Sequence, residues 1–182
     1  MLTQSRYFLA LIPPADIQAD ANELKHAFRA RYGSQAALKS PPHITLQAPF
    51  TRPDEDHDRL LATLAAFCPS TVPVPVQLSG FGAFPPRVIF LAVEQTPALM
   101  QLQADLQTYL ADTLGIVDPR SRERPFYPHL TVAFRDLKPA AFRQAWPEFE
   151  HKPAAYAFVA TAIALLRHAG REWVNIKDLP LQ

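Results

Sequence analysis

The sequence predicts an α+β fold made of two similar halves, and three observations predict it. A tetrapeptide of the form His-apolar-Thr-apolar occurs twice, as His43-Ile44-Thr45-Leu46 within SPPHITLQAPF and His129-Leu130-Thr131-Val132 within YPHLTVAF, each just after a proline. Segments with an apolar period of two alternate with segments whose apolar residues recur every three or four positions, so strands alternate with helices. The resulting order is strand, helix, motif strand, helix, hairpin, helix, motif strand, helix, two strands, which sets the two copies at equivalent points.

Tyr7 to Ile12 is an apolar run stopped by Pro13-Pro14, as suits a buried central strand. Ala15 to about Tyr32 reads as a helix, with Ile17, Ala21, Leu24 and Phe28 on one stripe and Gly33 at its C-terminal end. A loop with Lys39, Ser40, Pro41 and Pro42 leads into the first motif strand, His43 to Phe50. Asp54-Glu55-Asp56 opens a helix running to about Cys68, where the acids complement the N-terminal dipole; that role accounts for the DEDHD cluster more simply than a metal site. Val72 to Leu78 alternates like a strand, with prolines at one parity as an edge tolerates, and Arg87 to Val93 returns beside it as a hairpin. Gly80-Phe81-Gly82 lacks the third glycine and following helix of a dinucleotide loop, and Phe81 and Phe84 read as core packing rather than site lining.

Pro97 to Leu114 carries the clearest helical stripe, Leu99, Leu102, Leu106 and Leu110, with Gly115 behind it. The loop 116–128 follows and holds Arg120, Arg122 and Arg124. The second motif strand spans His129 to about Arg135, a helix follows near 139–149, and strands near Tyr156–Leu166 and Trp173–Asp178 close the chain.

Composition narrows the function. With 48% hydrophobic and 19% charged residues the chain is an ordinary globular one, and its net charge of +1 argues against coating long duplex nucleic acid. A partner presenting one or two phosphates fits. The single cysteine, Cys68, excludes an internal disulfide and reads as buried packing in a cytoplasmic protein. No basic leader precedes a long apolar run, so neither a signal peptide nor a membrane span is expected.

Residues two apart in a strand share a face, so His43 and Thr45 point one way while Ile44 and Leu46 point the other, and the second copy repeats this. With six His and ten Thr in the chain, chance predicts roughly 0.3 His-x-Thr, so the matched pair is a signal rather than two unrelated solvated histidines. His26, His57, His151 and His168 lack the following Thr and read as surface or structural.

With PPHITLQAPF, YPHLTVAF, the hairpin FGAFPPRVIFLAV and the closing LLRHAGREWVNIKDLPL, the chain resembles the two-histidine phosphoesterases, specifically the 2′-5′ RNA ligase and RNA 2′,3′-cyclic phosphodiesterase family. The likeness spans nearly the whole chain. It implies a single bilobal domain over 1–182: two pseudo-symmetric lobes of antiparallel sheet with outer helices around a central cleft. It also implies His43 and His129 as catalytic acid and base and Thr45 and Thr131 as phosphate-binding hydroxyls, with no metal and no cofactor. Many cyclic phosphodiesterases of the family carry an arginine soon after the second motif, where this chain has Phe134 and then Arg135.

The residues fit that chemistry. One imidazole near neutrality can be neutral while the other is protonated, so a pair can remove one proton and deliver another. Arg122 and Arg124, in the loop before the second motif, are candidates to hold a neighbouring phosphate, and Tyr127 to stack on a base. The expected partner is an RNA 3′ end or a small nucleotide, and the expected state a monomer. The rival readings are a phosphodiesterase for a small cyclic or 2′-5′ linked nucleotide, and an RNA-end or nucleotide-binding module without turnover.

Overall fold

Burial follows the alternation read from the motifs. Ile44, Leu46, Leu130 and Val132 are at most 2% exposed, while His43, Thr45, His129 and Thr131 are only half-buried on the opposite face. The computed structural model describes residues 3–118 and 124–182. Its strands are β1 (Gln4–Leu11), β2 (Ile44–Pro53), β3 (Val74–Phe84), β4 (Val88–Val93), β5 (His129–Ala133), β6 (Ala155–Ala160), β7 (Ala162–His168) and β8 (Trp173–Pro180). The helices are α1 (Ala15–Tyr32), α2 (His57–Phe67), α3 (Pro97–Leu114) and α4 (Pro139–Phe149).

The strands form one antiparallel sheet in the order β6-β3-β4-β5-β2-β1-β7-β8. Its two halves, β6-β3-β4-β5 and β2-β1-β7-β8, meet at the motif strands, where one residue pair, Ile44 opposite Leu130, joins β2 to β5. Because β6 and β7 lie near opposite ends of the sheet but are separated only by Thr161, the sheet curls back on itself. The helices cover one face, and a single apolar cluster there draws on both halves, from Tyr7, Leu9 and Leu11 of β1 to Leu130 and Val132 of β5 and the α3 stripe. A smaller cluster, Phe8, Ala10, Ala164 and Leu166 with Ile12 and Trp173 against it, lies on the other face.

Two expectations need correction. The single strand expected over Tyr156–Leu166 is two strands, β6 paired with β3 and β7 with β1, so the chain crosses between the halves at Thr161. The unbroken apolar run YAFVATAIALL hides that break, because both strands are apolar through it. Nor is β3 an edge strand, since it pairs with both β6 and β4. Its pairing with β4 begins at Leu78, however, so Pro75 lies where only β6 is bonded alongside, and the missing N–H takes no rung from β4.

The helix starting at Asp54 opens as a 3-10 turn, Asp54–Asp56, before α2, and Asp56 pairs with Arg52 at 2.8 Å. Cys68 is buried at 2% exposure, and burial pushes its thiol up to about 11. No helix among the described residues is long and apolar enough to cross a membrane.

Candidate active site

The register between the motif strands builds the site. With Ile44 opposite Leu130 in an antiparallel pair, the neighbouring positions set His43 across from Thr131 and Thr45 across from His129. The two histidines thus occupy one diagonal of a four-residue square and the two threonines the other. All four line one cleft of about 610 Å³.

Both imidazoles are held in the same way. Nδ1 of His43 donates to the Pro41 carbonyl at 2.7 Å, and Nδ1 of His129 donates to the Tyr127 carbonyl at 2.7 Å. A carbonyl only accepts, so Nδ1 carries the hydrogen in each ring and Nε2 keeps its lone pair for the cleft. The sequence spacing gives no sign of this anchor, which uses main-chain atoms two residues upstream. The proline after each of those carbonyls, Pro42 and Pro128, is buried, and a proline restricts the residue before it to extended backbone.

Aromatic neighbours fix the rings further. His43 packs on Phe8 at 4.7 Å between centroids, and His129 on Phe84 at 5.1 Å and Phe90 at 5.0 Å. Phe90 lies so close over Gly82 that a Cβ there would clash with its ring, which is why this strand position holds a glycine. Phe81 packs on Phe149 as expected, but Phe84 is 40% exposed beside His129.

Burial lowers both imidazoles, His43 to about 4, with smaller contributions from the nearby charges of Lys25 and His129; the bonds to Pro41 and Tyr127 oppose the shift. Lys25 is itself buried at 1% exposure, and burial lowers its ammonium to about 8. It donates to the Ser40 carbonyl at 2.9 Å and so pins the loop that supplies Pro41.

A lowered histidine has a stability consequence. Between the ordinary value near 6.5 and about 4 the unfolded chain binds a proton that folded His43 refuses, so stability falls as pH falls through that window. His43→Asn should therefore lose less stability than the parent between pH 7 and pH 4.5, by up to about 3 kcal/mol, in denaturant melts. An identical pH dependence in both proteins would mean that His43 titrates normally.

The remaining cleft wall comes from both halves. Ala36, Ala37, Lys39 and Ser40 precede His43, Phe134 and Arg135 follow β5, and Arg6, His168, Arg171 and Trp173 line the β1-β7-β8 side. Asp136 ties two of these segments together: its carboxylate accepts from the Ser34 hydroxyl at 2.8 Å and from the Gln35 and Ala36 amides at 2.9 Å.

Of the predicted site residues, His43, Thr45, His129 and Thr131 come together, and Arg135 joins them in the wall. Arg122 lies outside the described residues. Arg124 is exposed, and neither it nor Tyr127 is among the residues that line the cleft; the Tyr127 ring packs edge-on against Phe84, and its carbonyl accepts from Nδ1 of His129. His168, expected to be surface or structural, lines the cleft. Only the fold brings it there, because nothing in its local sequence marks it.

Residues 13–172 match the family model of the 2′-5′ RNA ligase superfamily. The chain belongs to that superfamily. Relatives provisionally named phosphoesterases include one from Geobacillus kaustophilus, 31% identical over 80% of this chain and 78% of its own, and one from Bacillus cytotoxicus, 35% identical over 69% and 67%. Among solved structures, TT0787 of Thermus thermophilus matches with a TM-score of 0.70 at 25% identity over 97% of each chain. The apo form of E. coli LigT matches with a TM-score of 0.66 at 23% identity over 99% of each. LigT has also been solved with phosphate and with 3′-AMP. The α+β architecture of the superfamily is therefore that of this chain, with the two motif strands at its centre.

Proposed function

We propose that the protein is a metal-independent phosphoesterase that opens 2′,3′-cyclic phosphate ends of RNA, with His43 and His129 as general acid and base. The observation that carries the reading is the matched anchoring of the two imidazoles, each with Nδ1 tied to a main-chain carbonyl and Nε2 left for the cleft. One Nε2 takes a proton from water as its oxygen bonds to phosphorus. The other, protonated, gives its proton to the departing ribose oxygen as that P–O bond breaks, leaving a phosphomonoester and a free hydroxyl. Thr45 and Thr131 donate to the non-bridging oxygens as charge builds there. Run in reverse with a ribose 2′-hydroxyl in place of water, the same steps join RNA ends through a 2′-5′ linkage. Near-symmetry leaves the two roles exchangeable between the histidines. The wider reading is of a monomer acting in the cytoplasm.

The test is product analysis on oligonucleotides and mononucleotides ending in a 2′,3′-cyclic phosphate, with and without EDTA. Turnover that survives the chelator is expected, since the stabilising groups assigned are hydroxyls. Activity lost in EDTA and restored by one divalent ion would count against the mechanism. Binding without product would instead identify a recognition module. Small nucleotides belong in the assay because the fold is shared with LigT, solved with 3′-AMP.

The pH profile follows from the lowered imidazoles. With His43 near 4 and His129 also below the usual histidine range, the form with one ring neutral and one protonated dominates on the acid side of neutrality. The kcat/KM profile should be a bell with its maximum below about pH 6.5, falling about tenfold per unit on the alkaline limb. A bound phosphate favours the imidazolium and moves the kcat limbs upward. A kcat/KM that climbs through pH 6.5 to a plateau at pH 8 would contradict a requirement for one protonated histidine.

A further inference from the structure

The cleft carries more positive charge than one phosphodiester requires. Arg6, Lys39, Arg135 and Arg171 line it; among the described residues no Asp or Glu does, and none of these four cations lies within 4.0 Å of a carboxylate. An unneutralised set of this kind is the electrostatic counterpart of a multiply charged ligand.

The charges fall into two groups. Lys39 and Arg135 flank the motif strands, on the segments that Asp136 holds together. Arg6 and Arg171 belong to the other wing, with His168. The register that sets Tyr7 opposite Arg167 brings Arg6 beside His168, and His168 pairs in turn with Trp173. The guanidinium of Arg6 sits 5.6 Å from the Trp173 ring centroid, so it is steadied by an aromatic face while, among the described residues, no carboxylate pairs with it. The His168 ring meets the edge of Trp173 at 4.9 Å.

Spacing connects this wing to the histidine pair. Phe8, 3% exposed, touches His43 at 4.7 Å on one side and Trp173 at 4.8 Å on the other, making a rigid apolar floor two ring contacts long. A cleft of about 610 Å³ has room for a nucleotide lying along that floor.

We infer that Arg6, Arg171 and His168, arranged around Trp173, form a subsite for a second phosphate, the one on the 5′ oxygen of the nucleoside whose cyclic phosphate lies at the histidine pair. The inference rests on the cyclic-phosphate reading above. In RNA with a 2′,3′-cyclic end, the 5′ oxygen of the last nucleoside carries the next phosphate of the chain. The substrate class is then a nucleoside 2′,3′-cyclic phosphate bearing a 5′-phosphoryl group, supplied either by a free nucleotide as a monoester or by RNA as a diester.

The experiment compares kcat/KM for adenosine 2′,3′-cyclic phosphate, its 5′-phosphorylated form, and the dinucleotide ApA with the same cyclic end. The parent protein should favour a 5′-phosphorylated substrate by about tenfold, chiefly through KM. In Arg6→Gln and Arg171→Gln that ratio should collapse toward one. Preference for the dinucleotide assigns the subsite to RNA, and preference for the 5′-phosphorylated mononucleotide assigns it to free nucleotides. Equal rates on all three substrates, or a ratio that survives both substitutions, would overturn the subsite and leave the cyclic-phosphate reading standing. If no cyclic phosphate is turned over, that reading falls and calorimetry decides the subsite alone. Adenosine 3′,5′-bisphosphate should bind about tenfold more tightly than adenosine 3′-monophosphate, with the gain lost in Arg6→Gln; equal binding would overturn it.

Discussion

Replacing either His43 or His129 with alanine is expected to lower kcat by at least about 10²-fold, because the proposed mechanism gives each ring one of the two proton transfers. The fold should persist. Both residues sit on the cleft face, half-buried, and Ile44 and Leu130 beneath them keep the packing that holds the strands. Circular dichroism and melting curves check the fold, and steady-state kinetics on a cyclic-phosphate substrate checks the rate. The double variant should be little slower than the slower single one, since acid and base act in the same step. Near-normal turnover in either single variant would dismiss the two-histidine mechanism.

The threonines should come next in size. Thr45→Val and Thr131→Val keep shape and remove one donor each, and losing a donor aimed at developing charge typically costs about 10²-fold or more in kcat. Serine at the same position should restore most of the rate, because it returns the hydroxyl. The diagonal arrangement adds a sharper expectation. Thr131 lies across from His43 and Thr45 across from His129, so energetic coupling in double-variant cycles should be stronger across the strands than within one motif. A loss of substrate affinity with unchanged kcat would show that the hydroxyls bind the ground state only.

Much of this was legible in the sequence because it depends on local period. The ends of α1, α3 and α4 match their expected limits, since Gly33 and Gly115 take the left-handed conformation that stops α1 and α3, and Pro97 and Pro139 open α3 and α4. The four motif side chains share a cleft because strand parity and one cross-strand pair suffice to put them there. What could not be read came from pairing between distant segments. His168, Arg171 and Arg6 reach the cleft through the β1-β7-β8 register, which no local pattern announces. The Nδ1 anchors of both histidines use carbonyl oxygens, which every residue has and no sequence distinguishes. Lys25 shows the opposite failure: its place on the apolar stripe of α1 looks like a polar exception, and only the fold supplies the Ser40 carbonyl that receives it.

The helices also change hands. α1, which links β1 to β2, packs against β5, and α3, which links β4 to β5, packs against β2 as well as against β3 of its own half. Each motif strand is therefore braced by the other half's crossover. Neither half, cut free, would keep the helix that braces its motif strand from the other side, and α1 would lose its packing against β5. During synthesis the first motif leaves the ribosome long before the second, yet the strand that α1 is shaped to cover does not exist until residues 129–133 have been made. The activity proposed for this chain would then be acquired when the two halves close on each other, not accumulated motif by motif.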